Sequence, residues 1–263
     1  MIPIDDLLAG AVDGQPLVVP ESWGQGRTAF GGLSAAVLNR VMDNAVADDR
    51  HMRVQNTQFI APLLTNQPFD IQLSHLRDGK NVTQLQASLI QNGQLSVQAT
   101  AAYGFDRPSK INVAAAPVAI AQTPVKASWL PQIPKVTPKF FRYIDIKFDQ
   151  GGYPFMGKKT SHYHGWIRFS QPPAQITGAH LIALIDAWPP TVLQQLRLPT
   201  PASTLSWNVE FIHPHPPIQG SDWLAYRAET AQASDGYAHT EARIYTGDGT
   251  LLALSRQLVT VFG

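Results

Sequence analysis

The residue with the most chemistry to offer is an aspartate inside an apolar helical run. Asp186 sits in His180-Leu-Ile-Ala-Leu-Ile-Asp-Ala-Trp188, apolar almost all round, as expected of a helix at the centre of a fold. A carboxylate buried there without partners would be costly, or would keep its proton through a raised pKa. Given hydroxyl and amide partners, the same group can accept a proton from water. The competing reading is an acid at a helix end, facing solvent or capping the chain ahead of Pro189-Pro190. Gln257 poses a related question. It shares a strand face with Leu251, Ala253, Ser255, Val259 and Val261, a row that reads as core-facing. A lone amide in such a row needs a specific hydrogen-bond partner. Thr204 falls, by strict alternation, on the polar face with Ser206, Asn208 and Glu210, away from Leu205, Trp207, Val209 and Phe211. That is the place of an ordinary strand threonine.

Other chemistries are excluded or weak. The chain has no cysteine, which removes thiolate nucleophiles, disulfides, iron–sulfur clusters and cysteine-ligated zinc. Gly24-Gln-Gly26-Arg-Thr-Ala29 imitates a dinucleotide fingerprint, but Pro20 interrupts the strand that should precede it. Gly32-Leu-Ser34-Ala-Ala36 imitates a serine-hydrolase elbow, although small residues at a tightly packed helix start explain it better. His162, His164, His213 and His215 come in pairs without a third ligand at recognisable spacing, so no metal is expected. A net charge of +1 gives no reason to expect nucleic acid or an anionic membrane as partner. No apolar run is long enough to span a bilayer, and the start MIPIDDLLAG has two acids and no basic region, so a cytoplasmic location is expected.

The elements that must position these residues come in two sets. With 44% hydrophobic and 15% charged residues, the 263-residue chain can fill one large core or two smaller ones. Gly31-Gly32 opens a small-residue helix, followed by strand-like runs over 54–60, 69–76, 81–90 and 95–103. Gly178 opens a second helix, followed by runs over 203–212, 222–230, 237–245 and 250–262, with further strand signals at 141–148 and 162–169. Phe59-Ile-Ala-Pro62 matches Phe211-Ile-His-Pro214 at an offset of 152. Asp78-Gly79 and Asn92-Gly93 match Asp235-Gly236 and Asp248-Gly249 at 157 and 156. Such nearly constant offsets indicate a tandem duplication of one helix and its antiparallel strands, an α+β arrangement. The copies then occupy 1–104 and 141–263, joined by a Pro-rich linker over 105–140. At the position of Gln257 the first copy has Ala101, and eight residues after Gly32 it has Arg40 where Gly178 leads to Asp186. The polar pair belongs to one copy, which predicts one functional site per chain.

Taken in order, Trp23 to Gly32, Phe59 to Pro62, Leu76 to Asn81, Ile90 to Gly93, Asp186-Ala-Trp-Pro-Pro190, Thr204 to Pro214 and Ser255-Arg-Gln257 resemble the acyl-CoA thioesterase II (TesB-like) family. The resemblance implies a double hotdog, in which each half wraps an antiparallel sheet around a central helix. It implies hydrolysis of acyl-CoA or another acyl thioester with no cofactor and no covalent intermediate. The family's water-holding Asp, Thr and Gln fall on Asp186, Thr204 and Gln257. Backbone N–H groups near Gly31 and Gly32 are then the natural donors to the thioester oxyanion. A homodimer is the fold-level expectation.

Two other readings compete. Hotdog dehydratases or hydratases pair a histidine from one half with an acid from the other, but the first half has no histidine in an H-x-x-x-G-x-x-x-x-P setting. A non-catalytic acyl-binding or ligand-binding module is the other alternative.

Overall fold

The computed structural model describes residues 2–47, 49–116, 118, 128–133 and 136–262. Residues 117, 119–127, 134 and 135 of the Pro-rich stretch expected to act as a linker therefore lie outside the described residues.

A short helix α1 (Ile4–Ala9) and edge strand β1 (Pro16–Val18) lead into the central helix α2 (Gly31–Asp43). The strands β2 (His51–Phe59), β3 (Pro68–Asp78), β4 (Val82–Gln91) and β5 (Gln94–Gly104) follow. After the two-residue strand β6 (Ser128–Trp129) come β7 (Ile144–Gln150), β8 (His162–Phe169) and the second central helix α3 (Gly178–Asp186). The chain ends with β9 (Ala202–Phe211), β10 (Leu224–Ser234), β11 (Tyr237–Tyr245) and β12 (Leu251–Val261). These twelve strands join one antiparallel sheet in the order β1-β3-β4-β5-β2-β9-β12-β11-β10-β8-β7-β6, and two further two-stranded ribbons lie outside it. Each half repeats one grammar: helix, then four strands whose last pairs with the first. This is the double hotdog, α+β, that the sequence led one to expect.

Turn chemistry sets the register. Asn92 and Gly93, and likewise Asp235 and Gly236, both take positive φ, the mirror-image hairpin that Asn-Gly and Asp-Gly favour. The halves are joined where β2 pairs with β9, with Asn56 facing Asn208 across the seam. These two residues are separated by the same 152 that relates the copies, so the pseudo-twofold axis passes between them. Asn208 Nδ2 donates to Asn56 Oδ1 across it at 2.8 Å.

The core lies between the curved sheet and the two helices. α2 buries ten of its thirteen residues, and α3 buries Ala179 to Ile185 without a break. The end of the Pro-rich stretch adds to it, since Phe140 stacks on Phe30 at 3.9 Å and Tyr143 on Trp23 at 4.2 Å. Among the described residues, no helix is long and apolar enough to cross a membrane.

Trp207, on the β9 seam strand, is 2% exposed and donates its indole N–H to Ser255 on β12. Trp207→Ala is expected to cost about 3–5 kcal/mol, measured by urea unfolding.

Candidate active site

α2 and α3 lie side by side and antiparallel, the start of each against the end of the other. Glycine at each start allows this approach. A Cβ on Gly31 would stand 3.1 Å from Asp186 Oδ2, and one on Gly32 would stand 2.8 Å from Asp186 Cβ. At the other crossing, a Cβ on Gly178 would stand 3.2 Å from Asn39 Oδ1. Asp186 is the last residue of α3. Its own helix offers it the negative end of a dipole, and the start of α2 offers the positive end. The Gly32 N–H donates to the carboxylate, and Gln257 Nε2 donates to Oδ1 at 2.7 Å.

Burial works against these two donors and wins. It pushes the Asp186 carboxyl up to about 7, while Gln257 and Gly32 hold it lower than burial alone would. The residue still keeps a partial opening to solvent. It is thus a carboxylate poised to exchange a proton near neutral pH. The Tyr226 phenol on β10, buried and within electrostatic reach of Asp186, has its pKa pushed up by burial first and by that negative charge second. Trp188, two residues past Asp186, stacks on Tyr226 with ring centres 4.6 Å apart.

Thr204 reaches this face through an irregularity that strict alternation does not foresee. β9 carries a bulge between Thr204 and Ser206, with Thr204 opposite Val259 and Trp207 opposite Gln257. Residues directly opposite in an antiparallel pair share a face. The extra residue, Leu205, is turned out to 36% exposure, and Thr204 joins Gln257, Val259 and Trp207 on the helix side. Its expected place on the polar face is corrected accordingly. The structure brings Gln257 directly to Asp186, whereas the Thr204 hydroxyl bonds to neither. Of the two glycines singled out, Gly32 already gives its amide to Asp186, and Gly31 is the first helical residue, whose N–H has no place in the helix ladder.

The first copy shows the same place in closed form. The reciprocal glycine contacts match Gly31 with Gly178, so Asn39 occupies the position of Asp186. Arg40, expected there by counting from Gly32, is displaced by one residue. Asn39 donates to Gln55 Oε1 at 3.0 Å and contacts Met52 Sδ at 3.1 Å. By the strand offsets, Met52 stands where Thr204 does and Ala101 where Gln257 does. This copy holds an amide, a thioether and a methyl where the other holds a carboxylate, a hydroxyl and an amide.

The other sequence candidates have structural employment. Ser34 is buried in α2 and donates to Phe30 O at 3.3 Å. His164 lies 3.0 Å from Asp149, and His213 stacks between His51 and His215. His180 bonds to Thr177 and Asp5. Among the described residues, no group of His, Asp and Glu is arranged to hold a metal ion. Sequence reasoning missed Tyr226 and Thr240 beside the site. The sequence offsets of 156 and 157 set Thr240 against Gln84 or Thr83, and only the strand register, in which Thr240 faces Gln257 as Leu85 faces Ala101, reveals a hydroxyl in place of a leucine.

Residues 19–104 match a family model described as the acyl-CoA thioesterase N-terminal domain, and residues 118–261 one described as its C-terminal domain. No curated protein matches the chain. Among solved structures, a protein of unknown function with hot dog fold from Alicyclobacillus acidocaldarius is similar, with 22% identity and TM-score 0.83 over 100% of this chain and 99% of that one. A candidate thioesterase II from Thermobifida fusca has 23% identity and TM-score 0.82 over 100% and 98%. The acyl-CoA thioesterase II TesB2 of Mycobacterium marinum has 15% identity and TM-score 0.69 over 99% and 98%. At these identities the likeness is one of fold.

Two outcomes follow from the geometry. A carboxyl whose pKa is raised in the folded state stabilises fully below its unfolded value of about 4, and that contribution is lost as pH rises to about 7. Asp186→Asn is therefore expected to be more stable than the parent by roughly 1–4 kcal/mol at pH 8, with the gap closing toward pH 4, in urea unfolding at both pH values. Gly32→Ala places a Cβ 2.5 Å from Phe30 Cζ and 2.8 Å from Asp186 Cβ. It is expected to lower the melting temperature by several degrees and to separate the helix start from the carboxylate.

Proposed function

We propose that this chain, which belongs to the acyl-CoA thioesterase family and is an acyl-CoA thioesterase-like hydrolase, cleaves its thioester with a water molecule activated by Asp186. The observation that carries this reading is the Asp186 carboxyl, pushed up to about 7 and held by Gln257 at 2.7 Å. A base of that pKa has a useful deprotonated fraction at neutral pH and still accepts a proton readily.

In this account water bonds to the carbonyl carbon as its proton passes to Asp186. The C–S bond then breaks and the proton returns to the departing thiolate, leaving a carboxylic acid and a thiol. Gln257 orients Asp186, and through its carbonyl oxygen it can also accept from the water. Thr204, turned onto this face by the bulge, fixes the water from the other side. The Gly31 amide, at the positive start of α2, serves the developing oxyanion. Coenzyme A is the proposed carrier. A cytoplasmic homodimer is the proposed working form, on the fold-level expectation alone.

Release of free thiol from a panel of acyl-CoAs tests the assignment. Asp186→Asn is expected to lower kcat/KM by about 10²-fold or more, and Gln257→Ala and Thr204→Val by about tenfold each. If Asp186→Asn matches the parent, Asp186 is not the base. In the parent, kcat/KM is expected to fall about tenfold per pH unit below about 7, as Asp186 takes up its proton.

A further inference from the structure

The row of the sheet that holds Gln257 continues away from Asp186 in a way the reaction does not account for. Gln257 on β12 faces Trp207 on one side and Thr240 of β11 on the other. The corresponding row of the first copy is Gln55, Ala101 and Leu85. Two positions that are apolar and packed in the closed copy, Ala101 and Leu85, are thus polar in the copy with the carboxylate. Gln257 is explained by its bond to Asp186. Thr240 is not. It is 5% exposed, and its Oγ1 is buried with no hydrogen-bond partner among the described residues. A buried hydroxyl without a partner is a net cost, commonly about 1–3 kcal/mol, that valine of nearly the same shape would avoid.

The surroundings of Thr240 are small side chains first and aromatic rings farther on. Ala238 and Ala242 flank it on the inner face of β11, and Ala228 lies opposite Ala242 on β10, so small side chains line this part of the sheet. Beyond them, Trp188 stacks on Tyr226 and meets Phe148 at 5.2 Å. Its ring lies so close to the sheet that a Cβ on Gly165 would stand 2.6 Å from Trp188 Cη2. The Trp188 Nε1–H is a second buried donor without a partner among the described residues. An acyl group whose carbonyl is attacked beside Asp186 and Gln257 would pass Thr240 one strand spacing away, about 5 Å. It would then end against these rings.

We propose that Thr240 is a specificity-determining residue, and that the acyl group is short and carries a hydroxyl or oxo oxygen near its carbonyl end, which bonds to the Thr240 hydroxyl. This rests on the hydrolytic reading above and deepens it. A site with a buried hydrogen-bonding group discriminates strongly against analogues that leave the group unpaired.

The test compares kcat/KM for thiol release from 2-hydroxybutyryl-, 3-hydroxybutyryl- and acetoacetyl-CoA with butyryl- and lauroyl-CoA, in the parent, Thr240→Val, Thr240→Ser and Asp186→Asn proteins. In the parent, at least one oxygenated ester is expected to exceed butyryl-CoA by tenfold or more, and lauroyl-CoA to be the poorest. Thr240→Val is expected to bring that ratio down about tenfold while hydrolysing butyryl-CoA at least as well, and to melt no lower than the parent. Thr240→Ser is expected to keep the preference. An oxygenated-to-plain ratio near one in the parent, or a ratio unchanged in Thr240→Val, overturns the proposal while leaving the hydrolase intact. Release from every ester no greater in the parent than in Asp186→Asn brings down the hydrolytic site instead, and the Thr240 assignment with it.

Discussion

The arrangement depends on one contact, the end of α3 against the start of α2, with a carboxylate between them. The end of a helix is electrostatically the wrong place for an aspartate. Asp186 is tolerated there because the antiparallel neighbour brings its positive start to the same point, and because Gly31 and Gly32 have no side chains to keep it away. Burial raises the carboxyl's pKa, while the Gln257 amide and the Gly32 N–H limit the rise. The balance leaves a group that is neither an ordinary surface acid nor a permanently protonated one.

Duplication explains why such a contact can exist and why only one crossing carries a carboxylate. The pseudo-twofold axis between Asn56 and Asn208 generates two helix crossings of the same shape. At one, Asn39 is satisfied by Gln55 and packed on Met52, a neutral and closed arrangement. At the other, the carboxylate has Gln257 in place of Ala101 and Thr204 in place of Met52. The closed copy keeps the fold's stability from resting on the one that buries a carboxyl. The chain can therefore hold a costly acid in half of its structure while the other half packs as an ordinary core.

Much of this was legible in the residues. Helix and strand periods, the Asn-Gly and Asp-Gly turns and the constant offsets specified two copies of a helix on an antiparallel sheet. Asp186 and Gln257 stood out because each is polar in an apolar row, and they are hydrogen-bonded to each other. Thr204 was not legible from alternation, because a bulge inserts one residue and reverses the faces beyond it, and Leu205 looks like any core leucine. The counterpart of Asp186 was placed one position late, at Arg40 instead of Asn39, because the match between the helices is set by which glycine touches the partner helix, a three-dimensional fact. Thr240 was hidden because one threonine among alanines is unremarkable until its counterpart, Leu85, is placed beside it.

The most direct test of the central claim is the titration of Asp186 itself, followed by the side-chain carboxyl resonance of protein labelled with carbon-13 aspartate and assigned by its absence in Asp186→Asn. The account predicts a midpoint near 7 that moves upward in Gln257→Ala, where one stabilising donor is lost. A midpoint near the ordinary carboxylate value of about 4, unmoved by loss of Gln257, would contradict it.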